Sequence, residues 1–170
     1  MRHVISALVN NQPGVLSRVV ALFTGRGFNI ESLNVAETLD PTISRLTLVT
    51  IGNDSIIEQI TKQLNKLVDV VKVMDLTGTE YVDREMALIR VTAEAAARAE
   101  ILRIVDIFRG QVVDVSLKSY TVEITGDEKK IQAIIDLFNS FGITEIVRTG
   151  KVAISRSRRD EDHALKETLK

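Results

Sequence analysis

Residues 2–51 read RHVISALVNNQPGVLSRVVALFTGRGFNIESLNVAETLDPTISRLTLVTI. The opening run, Arg2–Val9, has strand character. Leu16, Val19, Val20 and Phe23 then fall at i, i+3, i+4 and i+7, a spacing that gathers four apolar side chains on one helix face. Two further strand-like runs follow, Phe28–Glu37 and Ile43–Ile51, joined by a turn at Asp40-Pro41. The hydrophobic period therefore switches from strand to helix and back to strand, with the last two strands adjacent.

Outward from that stretch the same order completes itself and repeats. Ile57, Ile60, Leu64, Leu67 and Val68 form a second helical stripe, and Val70–Leu76 a fourth strand. The second half gives Glu85–Thr92, a helix on Ile101, Ile104, Val105 and Phe108, strands Val112–Leu117 and Tyr120–Thr125, and a helix on Ile131, Ile134, Ile135 and Phe138. It closes on Ile143–Ser155, long for one strand and with Gly150 as a breaking point. The expected fold is α+β: two tandem ferredoxin-like βαββαβ units, each an antiparallel four-stranded sheet with two helices on one face. The boundary is placed in Gly78–Asp83, giving units 1–78 and 79–156. A charged tail, 157–170, reads as a solvated or frayed end ahead of a binding arm.

Composition narrows the function. The 170 residues are 45% apolar and 26% charged with a net charge of −1, which disfavours whole-chain attraction to nucleic acid or an anionic membrane. There is no cysteine, so disulfides and thiolate chemistry are excluded. No run approaches the roughly 18 apolar residues of a membrane span, and the N-terminal run is too short for a signal peptide, so a cytoplasmic protein is expected.

Two segments carry candidate chemistry. Asn10–Arg18 joins the first strand to the first helix. Pro13 suits a helix start, Gly14 lets another molecule approach its backbone, and the first-turn N–H groups of Gly14, Val15 and Leu16 lack intrahelical acceptors, forming a small anion site. Taken alone, the segment reads first as an ordinary strand–helix turn capped by Asn11. In Gly25–Leu33, Gly27 is a left-handed helix stop, and Asn29, at the start of the second strand, offers an amide oxygen to an ammonium group. Alone it is a strand-start turn residue. The second strand of such a unit lies at the sheet edge, where a second copy can pair. Pairing of that kind brings Asn29 of one chain to the Asn11–Gly14 loop of the other, a carboxylate site beside an ammonium acceptor.

The motifs PGVLSR and RGFNIESL, with QLNKLVDVVKVMDLT, DREMALIRV and IFRGQVVDVSLKSYTVEITG, strongly resemble the acetolactate synthase small subunits, whose N-terminal unit is an amino-acid-binding ACT domain. The resemblance covers nearly all of residues 1–156. It implies a regulatory subunit without an active site. Its partner, the large subunit, would hold thiamine diphosphate, magnesium and FAD and condense pyruvate with a second 2-oxo acid. The small subunit would raise that activity and confer inhibition by valine or another branched-chain amino acid, bound at a homodimer interface. The family's effector site maps onto Asn11, Gly14, Val15, Asn29 and Ile30, with Leu16 added as an apolar neighbour. No cofactor or metal is expected in this chain.

Two other classes fit less well. An independent enzyme lacks support: His3 and His163 are the only histidines, no phosphate loop is present, and Gly25-x-Gly27 follows a helix rather than a strand. An amino-acid-responsive transcription regulator needs a DNA-reading element and a basic face. All four helices are already used to cover sheets, and only Arg148, Lys151, Arg156, Arg158 and Arg159 form a basic stretch.

Overall fold

The computed structural model describes residues 1–157; the tail beyond them and His163 lie outside the described residues. The elements run β1 (Arg2–Asn10), α1 (Val15–Thr24), β2 (Ile30–Glu37), β3 (Ile43–Ile51), α2 (Asp54–Leu64) and β4 (Val70–Asp75). They continue with β5 (Tyr81–Thr92), α3 (Arg98–Ile107), β6 (Gln111–Val115), β7 (Ser119–Gly126), α4 (Glu128–Asn139), β8 (Ile143–Arg148) and β9 (Val152–Ser155). The first sheet has the order β2-β3-β1-β4, with antiparallel pairs throughout, and the second β6-β7-β5-β8. This is the tandem βαββαβ arrangement that the periodicity predicts, with one addition. Gly150, at φ +79, breaks the last run, and β9 becomes a fifth strand paired to β5.

Two compact units result. One comprises residues 1–82 together with the described residues from Ala153 onward; the other comprises 83–152. In the first, Ile5, Ala7 and Val9 of β1 and Leu46 and Leu48 of β3 meet Val15, Val19, Leu22 and Phe23 of α1 and Ile57, Ile60 and Leu64 of α2. The other face of this sheet is covered too: Val4, Val49, Leu76 and Ala153 cluster with Met74 and Tyr81. That is why β1 is buried at every residue from His3 to Ala7 instead of alternating. In the second unit Ala87, Ile89 and Val91 of β5 and Val122 and Ile124 of β7 pack on Ile101, Ile104 and Val105 of α3 and Ile131, Ile134 and Phe138 of α4.

The helical stripes differ from expectation at two points. In α1 the buried face is Val15, Val19, Leu22 and Phe23, while Leu16 is 41% exposed. The helix is apolar on more than one side, so spacing alone could not choose between two overlapping stripes. In α2 the helix ends at Leu64 with Asn65 as C-cap, which leaves Val68 outside it and 96% exposed. The interdomain segment is also shorter than expected, because β5 already starts at Tyr81.

Candidate functional site

β1 ends at Asn10, and the chain must turn through Asn11–Gly14 to lay α1 on the sheet. Gly14 makes the turn at φ +83, ψ −10, the left-handed region that costs a residue with a Cβ about 1–2 kcal/mol. Gln12 N–H donates to Asn10 O (3.0 Å) and Val15 N–H to Gln12 O (3.3 Å). The N–H groups of Gly14, Leu16 and Ser17 have no acceptor among the described residues. α2 and α4 are capped by the side chains of Asn53 and Asp127, and α3 carries Glu100 in its first turn. Among the described helices, α1 alone has neither a side-chain cap nor an acidic first turn. The positive end of its dipole is left uncompensated.

Arg18 stands at the same helix end, as one partner of an ion pair with Asp69. A Cβ placed on Gly14 would lie 3.3 Å from Arg18 Nη1, so the guanidinium stands beside the turn. Asp69 holds it there, with Oδ2 accepting from Nη2 (2.6 Å) and Nε (2.9 Å).

Asn11 does not cap the helix. Its Nδ2 donates to Glu37 Oε1 (3.0 Å) and to Pro41 O (2.9 Å), and its backbone N–H donates to Thr42 O (2.7 Å). Both side-chain partners are acceptors, which fixes the amide orientation and leaves Oδ1 as an acceptor with no donor among the described residues. The β2–β3 turn that receives Asn11 is itself pinned. The Thr42 hydroxyl and N–H both donate to Asp40 Oδ1 (2.7 and 2.9 Å), and these bonds, the hydroxyl's first, hold the Asp40 carboxyl below its ordinary value.

Of the remaining predicted residues, Val15 is a core residue whose amide is engaged. Leu16 lies on the outer face of α1 and lines a shallow groove with Ser17, Val20, Ala21 and Thr24. Asn29 and Ile30 stand elsewhere. Ile30 pairs with Thr50, which pairs with His3 at the start of β1, so both residues occupy the end of the sheet opposite Asn10. The Asn29 carbonyl accepts from Thr50 Oγ1 (2.6 Å), and its exposed side chain makes no bond among the described residues. One chain thus brings Asn11, Gly14, Val15 and Leu16 together and leaves Asn29 and Ile30 apart. Glu37 and Arg18 were missed from the sequence. Glu37 reaches the site through strand register, its partner Ser44 lying across from Val9. Arg18 reaches it because it lies one helical turn beyond Gly14.

No helix among the described residues is long and apolar enough to cross a membrane. A family model described as the AHAS small subunit-like ACT domain matches residues 5–72, and one described as the small subunit of acetolactate synthase matches residues 84–157. The acetolactate synthase small subunit of Aquifex aeolicus is 54% identical over 156 residues, covering 91% of this chain and 81% of that protein. The probable acetolactate synthase small subunit of Methanothermobacter thermautotrophicus is 52% identical over 158 residues, covering 92% and 94%. The crystal structure of the Thermotoga maritima acetolactate synthase small subunit superposes with a TM-score of 0.85 at 45% identity, over 93% of this chain and 99% of that one. The two family models thus match one unit each, and the chain belongs to the acetolactate synthase small-subunit family.

Proposed function

We propose that this chain is the regulatory subunit of an acetolactate synthase: it raises the activity of the large subunit and makes it sensitive to feedback inhibition by valine or a related branched-chain amino acid. Catalysis, with thiamine diphosphate, magnesium and FAD, is assigned to the large subunit, which this chain joins in the cytoplasm. The observation that carries the effector site is the bare N-terminus of α1, where the Gly14, Leu16 and Ser17 amides, with Arg18 beside them, face outward around a residue without a side chain.

The rest of the site comes from a homodimer. β2 is the outer strand of its sheet. Antiparallel pairing of two β2 edges sets the Ile30 end of one copy beside the Glu37 end of the other, which is the end where Asn11 stands. The effector carboxylate lies on the α1 amides. Its ammonium is taken by the Asn11 oxygen, Glu37 and the second copy's Asn29. Leu16 and the second copy's Ile30 flank its side chain, with Val15 supporting from the core. One methylene in such a pocket is worth only about 1–3 kcal/mol, so valine, leucine and isoleucine compete. A DNA-binding regulator is not favoured.

The test is co-purification with a large subunit and acetolactate formation followed across a valine titration. The complex should be more active than the large subunit alone and inhibited by valine. In Gly14→Asp a carboxylate occupies the anion position beside Arg18, and the half-inhibiting valine concentration should rise at least about tenfold, roughly 1.4 kcal/mol. A variant complex that stays fully valine-sensitive puts the effector elsewhere.

A further inference from the structure

Arg18 is the fourth residue of α1 and stands near the positive end of the helix dipole, where a cation is ordinarily disfavoured. Its pairing with Asp69 adds little to folding, because the two side chains are 50% and 18% exposed and such pairs are weak in water. What the pair fixes is direction. One carboxylate oxygen of Asp69, Oδ2, accepts from both Nε and Nη2. The guanidinium is a planar fork, so the edge it gives to Asp69 decides where the other edge points. Nη1 belongs to that other edge. It has no acceptor among the described residues and lies 3.3 Å from where a Cβ on Gly14 would be.

Asp69 is anchored independently of that pair. It comes immediately before β4, and its carbonyl accepts the Asn10 N–H at 2.8 Å, which ties its main chain to the end of β1. The carboxylate is thus presented from the sheet to a side chain rooted on α1, whose packing through Val15, Val19 and Leu22 fixes the other end. Without it, the long and half-exposed arginine would spread over many rotamers. Held, Arg18 adds an oriented N–H donor to the unpaired amides of Gly14, Leu16 and Ser17. A charge-assisted bond from it to a carboxylate is roughly twice as strong as a neutral one. Asp69 also repels a carboxylate, but from across the guanidinium and beside solvent, where the repulsion is screened, so its orienting effect wins. The other acidic group nearby, Glu37, has Oε1 engaged by Asn11 Nδ2.

We infer that Asp69 is a positioning residue of the effector site: it turns Arg18 so that Nη1 and the α1 amides together receive one carboxylate, and it does so without touching the ligand. The inference rests on the effector site proposed above and assigns the part of it that recognises the anion.

Valine binding to the full-length protein is measured by calorimetry for the wild type, Asp69→Ala, Arg18→Ala and the double variant. Valinamide, which keeps the ammonium and side chain but has no carboxylate, is the control ligand. Each single substitution should lower valine affinity about five- to tenfold, the loss of one charge-assisted bond. The double variant should lose no more than Arg18→Ala alone, because Asp69 acts only through Arg18. Valinamide should bind all four proteins equally weakly. Melting temperatures separate lost folding from lost binding; if Asp69→Ala melts well below the wild type, Asp69→Asn, close in volume, takes its place and should show a smaller loss in the same direction. Wild-type affinity in the Asp69 variant, while Gly14→Asp still abolishes binding, overturns the role of Asp69 and leaves the effector site standing. Additive losses in the double variant, or an equal fall for valinamide, overturn it as well. A wild-type protein that binds no valine, or binding untouched by Gly14→Asp, removes the effector site and this inference with it.

Discussion

At the end of α3 two adjacent residues divide what one glycine often supplies. Arg109 takes the left-handed turn at φ +51, the only positive φ outside glycine among the described residues. Gly110, with an ordinary φ, is needed for space: a Cβ there would sit 3.0 Å from the backbone oxygen of Glu123 and 3.4 Å from Ile124 and Val105. The neighbour at closest approach is main chain, so it cannot swing aside. Arg109→Gly should therefore stabilise the second unit by about 0.5–1 kcal/mol, the left-handed penalty less the added freedom of the unfolded chain. Gly110→Ala should destabilise it by about 1–3 kcal/mol through overpacking. Urea midpoints of the two variants, moving in opposite directions, check both.

Among the elements, the helix N-termini divide by purpose. Asn53 Oδ1 accepts the Ile56 N–H at 3.0 Å, and Asp127 Oδ1 accepts the Lys130 N–H at 2.8 Å. Each closes off its helix. Asn53→Ala and Asp127→Ala should each cost about 1 kcal/mol and lower the melting temperature of their own unit by roughly 4–8 °C. Calorimetry that found no loss in either would mean that these caps are not holding the helices. α1 forgoes such a cap and is held instead by the packing of Val15, Val19, Leu22 and Phe23. Its stop is conventional: Gly27 is left-handed at φ +69, and Phe28 N–H reaches back to Phe23 O at 3.0 Å.

At the scale of the molecule, the chain returns to its first unit after building the second. Ala153 packs with Val4, Val49, Leu76 and Tyr81, and Arg156 N–H donates to Glu80 O at 2.9 Å. A chain ended after Gly78 loses Tyr81 and Ala153 and uncovers the far face of its sheet. Such a fragment should be less stable than the same unit in residues 1–157 by about 1–3 kcal/mol, on the area removed from cover. Thermal unfolding of the two proteins checks this; an unchanged melting transition would mean that the apolar cluster contributes nothing. Loss of valine response in the fragment is evidence of coupling to residues 83–152 only once its folding has been measured, because coupling of about 1–3 kcal/mol is no larger than the expected loss.

What residues 1–157 determined by themselves is the order of strands and helices, the antiparallel two-layer plan and the glycine turns, because these follow from period, chirality and short-range sterics. The segment Asn11–Leu16 was legible as a strand–helix turn for the same reason, but alone it read first as one capped by Asn11, and the structure leaves that helix uncapped. Tertiary structure alone decided which of two apolar stripes of α1 faces the sheet, that Asn11 serves the β2–β3 turn rather than the helix, and that Glu37 and Arg18 stand beside Gly14. It also decided that Asn29 lies at the far end of the sheet, and that His3, an ordinary strand residue by its spacing, is buried with both nitrogens unpaired. Each depends on strand register or on packing between segments distant in sequence, and side-chain periodicity carries no information about either.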